Sequence, residues 1–185
     1  MLFLRIPKPQ SVPEPSKPEK NNPPLMALED IAGIYFNPAY GSISLCTYSV
    51  NITGPTFDGR CGSMLSEFAE AWSGEPPSFV ATWEKYWSTH MILQHSDGDR
   101  FTIRSGILSP PPFLEDKKSK PFIVEFGGMK GSAKFIYSRV SHKGLKVDGF
   151  AVKGLWGAGL HAKQLDGEDK DSAEIWFDRV DYWAT

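Results

Sequence analysis

No apolar run in this chain approaches the roughly 20 residues that a membrane helix requires, so no helical membrane span is expected. A charge of one sign is also missing. Twenty Lys and Arg are dispersed among 22 Asp and Glu, for a net charge of −2, so no basic face forms and no nucleic-acid partner is expected. Cysteine and histidine are scarce, at two and four residues. Cys46 and Cys61 are not in a metal-ligand spacing, and His90 and His95 lie five apart on a stretch that reads as one strand. Their side chains would point to opposite faces, so neither a metal nor a cofactor is expected.

A secretory leader is not evident either. MLFLRIPKPQ offers four apolar residues before Arg5, where a signal needs about 7–15. As written, the chain is expected in the cytoplasm; it would be secreted if the true start lies upstream. Asn51-Ile52-Thr53 is a glycosylation sequon, and Cys46 and Cys61 flank it at a spacing able to close a disulfide loop. A chance sequon and two ordinary buried thiols are the alternative reading.

What the chain does have is proline at one end and aromatics throughout. Seven of the 15 prolines fall in residues 1–26, among Lys, Glu, Ser and Asn, which predicts a disordered tail or linker. Aromatic residues make up 13% of the chain and glycine is plentiful, a balance that favours sheet over helix in residues 27–185. HMILQH, then Ser96-Asp97-Gly98-Asp99, then RFTIRSGIL reads as a hairpin, with Phe101 and Ile103 on one face. PFIVEF and SAKFIYSRV flank Gly127-Gly128-Met129-Lys130-Gly131, which predicts a second hairpin. Three consecutive prolines put a surface loop between Ser109 and Ser119. Cys61 to Trp72 is the one helical stretch. Met64, Leu65, Phe68 and Trp72 form its apolar stripe, and it is expected to lie across a barrel mouth or edge. The predicted fold is all-β: a lipocalin-like antiparallel barrel of about eight strands, with one inserted helix and a disordered N-terminal tail.

The stretch LEDIAGIYFNPAYG carries a resemblance. Gly33, Tyr35, Asn37, Pro38, Tyr40 and Gly41 match the GxYxNPxYG pattern that opens the lipocalin-like C-terminal domain of fungal serine-β-lactamase-like (penicillin-binding-protein-type) hydrolases. HMILQHSDGDRF resembles that domain's hairpin, and GLKVDGFAVKGLWG with AEIWFDRV resembles its closing strands. The similarity runs over about residues 27–180. In that family the catalytic serine and lysine belong to a separate upstream domain. No serine here is followed three places on by lysine, so serine hydrolysis is not implied for this chain alone.

Candidate chemistry therefore rests on single residues. Phe135, Tyr137 and Arg139 share a strand face. Turned inward, Tyr137 and Arg139 would hold an enolate, carboxylate or tetramate. Turned outward, Arg139 would pair with Glu125 or Asp178. His90, after Trp83 and Trp87, is placed in the barrel interior as a third catalytic candidate, with a satisfied core or surface histidine as the alternative. His95, beside the tight turn, is expected to bond turn backbone. Tyr35, Tyr40, Trp87 and Trp156 are the candidate substrate-binding aromatics. GLWGAG at Gly154 to Gly159 does not open a helix, so it is not a phosphate cradle. The expected activity is binding of a small apolar metabolite. By fold-level analogy with small cyclases of fungal secondary metabolism, cyclisation or isomerisation by positioning alone is included. The alternatives are a non-catalytic accessory domain beside a separate hydrolase, or a truncated remnant of one.

Overall fold

The computed structural model describes residues 21–48, 59–85, 88–109, 121–141, 144–154 and 170–180. Residues 1–20 of the expected tail, the sequon at Asn51, the loop 110–120, Trp87, Trp156 and most of GLWGAG lie outside the described residues. Eight strands follow one another: β1 Gly33–Asn37, β2 Gly41–Thr47, β3 Phe79–Lys85, β4 Ser88–Asp97, β5 Arg100–Ser109, β6 Phe122–Val140, β7 Gly144–Lys153 and β8 Ile175–Arg179. Each pairs antiparallel with its neighbour in sequence, and β1 pairs with β8 through Tyr35–Arg179 and Phe36–Asp178. The product is a closed up-and-down barrel. Closure gives every strand a partner on both sides over part of its length, which limits the aggregation hazard of a sheet, while residues 122–125 of β6 pair with β5 alone among the described residues.

The interior is filled with rings. Tyr35, Phe79, Trp83, Phe101, Phe135, Phe150 and Phe177 are buried inside with Leu45, Met91, Leu93 and Ile103. Phe150 stacks on Phe177 at 4.9 Å, and Phe135 meets Phe101 edge-on at 5.3 Å. Such contacts add about 0.5–1.5 kcal/mol each beyond the area they bury. The β4–β5 hairpin forms as the Asp-Gly signal predicts, with Gly98 at φ 54°.

The second expected hairpin does not form. Residues 122–125 and 130–134 both pair with β5, side by side along the same neighbour, so they are two halves of one 19-residue strand. The glycine-rich segment between them is a bulge, where the register with β5 shifts between Arg104 and Gly106.

The helical stretch forms as α2, Gly59–Ala71, but not across the mouth. Leu65 and Phe68 pack with Met64 on Cys46, Val80 and Ile92, which are outward-facing residues of β2, β3 and β4. Those strands are apolar on both faces, so the outer wall there needs a cover. A disulfide between Cys46 and Cys61 fastens the start of the helix to β2, with Cα atoms 5.8 Å apart. No described helix is long and apolar enough to cross a membrane.

Candidate functional site

The two ends of the barrel are built differently. At one end a single helical turn, α1 (Leu28–Ile31), lies under the strands, with Ile31 fully buried. Arg179, at the end of β8, reaches across this end. Its Nη1 donates to the Ile31 carbonyl at 2.6 Å and to the Tyr35 hydroxyl at 2.9 Å, and its guanidinium lies 5.1 Å from the Tyr35 ring centroid. The Tyr35 hydroxyl itself donates to the Ile31 carbonyl. The segment before α1 is docked as well, further upstream than the expected boundary at residue 27. Asn22 donates to Asp97, Leu25 donates its backbone N–H to Asp99, and Met26 packs on the core. This end is plugged.

Tyr137 belongs to the plugged end. Its hydroxyl donates to Asp99 Oδ1 at 3.0 Å, the same oxygen that accepts from Leu25. Burial, then the negative charge of Asp99 and the hydrogen bond to it, push the Tyr137 phenol far above its ordinary pKa. The Tyr35 phenol is pushed up to about 12 by burial, against the opposing pull of Arg179. Both are neutral hydroxyls across the physiological range. Arg139 is exposed near the end of β6 and makes no hydrogen bond or ion pair with a described residue. Its two expected partners are taken: Glu125 pairs with Arg104 at 3.2 Å and Asp178 with Lys170 at 2.8 Å. Tyr137 and Arg139 therefore do not converge on a pocket, because Tyr137 folds against the interior while Arg139 sits in water.

His90 does not face the interior. On β4, Met91 and Leu93 point in, so His90 and Ile92 point out, beneath α2. The residue is 6% exposed, and its imidazole lies 6.0 Å from the Phe68 ring. Burial lowers its pKa, while Glu67 and Glu84 pull the other way. Trp83, on β3, is the interior residue of that pair, as strand alternation requires. His95 is structural: its Nε2 is 2.9 Å from the Gly98 carbonyl and its ring packs edge-on against Phe101.

The opposite end carries the β1–β2 turn. Tyr40, in the β1–β2 turn, lies against Trp83 at 5.9 Å and Phe177 at 6.4 Å. Asn37 holds that turn by accepting from the backbone N–H of Ala39 and Tyr40, and its side-chain amide donates to the Trp176 carbonyl on β8. Lys85 donates to the Tyr40 carbonyl at 2.8 Å with its ammonium 5.9 Å from the Tyr40 ring centroid. Trp83 is 1% exposed, and its indole Nε1–H has no hydrogen-bond acceptor. Of the four aromatics expected to bind substrate, Tyr40 packs over the barrel end opposite α1 and Tyr35 is locked into the plug. Sequence reasoning passed over Arg179, Lys85 and the orphaned indole. Strand alternation places Trp83 inside, but nothing local shows that its N–H lacks an acceptor.

No protein-family model, curated protein or solved structure matches this chain.

Proposed function

We propose that the barrel is a small-molecule binding module. Its ligand enters at the barrel end opposite α1, where Tyr40 packs over Trp83, and on displacing that contact places a hydrogen-bond acceptor on Trp83 Nε1–H. The observation that carries this reading is the buried indole donor without a partner. Leaving such a group unsatisfied costs about 1–3 kcal/mol, which a carbonyl, ether or hydroxyl oxygen of a ligand would recover. Ring-lined walls select a flat, mainly apolar molecule, and a single fixed donor sets its orientation. Lys85 at the rim favours a ligand with a negative or strongly polarised end.

A second reading, an accessory domain acting beside a separate hydrolase, draws support from the Cys46–Cys61 disulfide. Such bonds persist in oxidising compartments, where secreted hydrolases also act. The two readings are compatible, since a domain that captures an apolar substrate would serve a catalytic neighbour.

Tryptophan fluorescence and native mass spectrometry with flat aromatic ketones, flavones and naphthoquinones test the first reading. A binder should bring its acceptor to Trp83, and Trp83→Phe should weaken it about tenfold while preserving the ring. Equal affinity in Trp83→Phe, or binding that leaves the Trp83 indole resonance unmoved, would refute it.

A further inference from the structure

The apolar residues of this domain fall into two clusters that share no described residue. One fills the barrel. The other lies on its outer wall, where Met64, Leu65 and Phe68 of α2 pack on Cys46, Val80 and Ile92. A helix of 13 residues is marginal in water, so α2 keeps its structure by staying docked on that wall. The Cys46–Cys61 disulfide ties its start to β2, so α2 can leave the wall without leaving the molecule. The interior cluster needs none of its residues, so the barrel can stay closed meanwhile.

His90 is buried at this joint, in a cleft of about 370 Å³ between α2 and the sheet. Its ring lies 6.0 Å from that of Phe68, and its Nδ1 is 2.9 Å from the Thr89 hydroxyl. Every element packed around it contributes few charges. Helix α2 presents Glu67 and β3 presents Glu84, while β2 offers only Ser44 and Cys46. Arg104 of β5 lies over the Trp72 ring and pairs with Glu125 of β6. The two cleft carboxylates favour an imidazolium, and burial opposes it more strongly. Undocking of α2 returns the ring to water and removes that opposition, so the undocked state binds the proton more readily.

We infer that His90 makes the seat of α2 an acid-sensitive switch. Protonation of the imidazole releases α2 from the wall and exposes Val80, Ile92 and Ile123, while the disulfide holds the helix beside the closed barrel. Between the ordinary histidine value near ~6.5 and the lower docked value, each unit fall in pH multiplies the undocked population by up to about ten. Beneath the docked value the effect levels off.

The test is amide hydrogen exchange on the full chain with its disulfide intact, from about pH 7 to about pH 5, read as protection factors. Leu65 and Phe68 of α2 should lose protection as pH falls, by up to about tenfold per unit, while Met91 and Ile103 of the barrel wall keep theirs. His90→Gln should remove this dependence. Glu67 is exposed, so Glu67→Gln leaves the fold intact. That variant takes away a charge favouring the imidazolium, so the loss of α2 protection should continue to lower pH than in the parent. The same pH dependence in His90→Gln, its disappearance in Glu67→Gln, or a parallel loss of protection in α2 and the barrel wall would each overturn the proposal.

Discussion

Replacing Gly33 by alanine should cost far more than a methyl group on a strand usually does. Gly33 has φ 150°, a conformation that residues with a Cβ rarely adopt. Holding alanine there costs about 1–3 kcal/mol. The added Cβ would also lie 2.5 Å from Arg179 Nη2 and 2.6 Å from its Cζ. An arginine head free in solvent would swing away at little cost. This one is fastened to Ile31 and Tyr35, and moving it breaks charge-assisted hydrogen bonds worth about 1.5–3 kcal/mol. The sum is about 2.5–6 kcal/mol, a large share of the roughly 5–15 kcal/mol that holds a domain together. Urea denaturation of Gly33→Ala, Arg179→Met and the double variant separates the two terms. With Arg179 gone only the backbone strain remains, so Gly33→Ala should cost about 1.5–3 kcal/mol less in the Arg179→Met background. An equal cost in both backgrounds would show that the guanidinium yields freely, and the plug would then not be fixed by these bonds.

Three further outcomes follow from the same geometry. Replacing both Cys46 and Cys61 by serine should lower unfolding free energy by about 3 kcal/mol, the loop-closure value for their separation of 15 residues, and reductant should do the same to the parent protein in urea melts. The His90 pKa is lowered in the fold, so below the ordinary histidine value near ~6.5 the unfolded chain binds more protons. Stability should therefore fall as pH drops from there towards the lowered folded value and level off beneath it, and His90→Gln should flatten that slope; an unchanged slope would place the acid sensitivity elsewhere. Tyr40→Ala should weaken any ligand that quenches Trp83 while Tyr137→Phe leaves it unaffected, because Tyr137 lies at the plugged end; the reverse order in a binding titration would put the ligand at the wrong end of the barrel.

The parts of this fold that were legible in the sequence are those fixed by neighbours in the chain. Asp97-Gly98 between alternating apolar residues specifies the β4–β5 hairpin, and the stripe of α2 specifies a helix. Gly127 to Gly131 carried the same local signature as a turn. Whether such a segment turns or bulges depends on what it pairs with, and both sides of it pair with β5. The site of α2 was set by residues far from it. The signal lies in HMIL on β4, where Met91 serves the interior and Ile92 the helix, and the strict alternation of a one-sided strand is lost. That loss also decides His90, which shares the outward face of Ile92. The Tyr137–Arg139 pair followed from correct alternation along β6. Alternation alone does not show where a strand runs past the barrel wall into solvent.

Strand β3, FVATWEK, serves the barrel interior on one face and the outer wall under α2 on the other. Phe79, Ala81 and Trp83 point into the barrel and Val80 lies under α2, while Thr82 and Glu84 line the outer cleft. A barrel wall is one strand thick, so the orphaned indole and the exposed carboxylate of consecutive residues face opposite sides of it. Neither group serves the wall itself. Trp83 would pack as well without its N–H, and an exposed Glu84 with no ion pair among the described residues contributes almost nothing to stability. Glu84→Gln keeps its bulk and should therefore leave the melting temperature within a few degrees of the parent, whereas Trp83→Phe also removes ring atoms from the core and should lower it by the cavity it leaves. A large drop in thermal stability from Glu84→Gln would mean that this carboxylate has a structural partner after all.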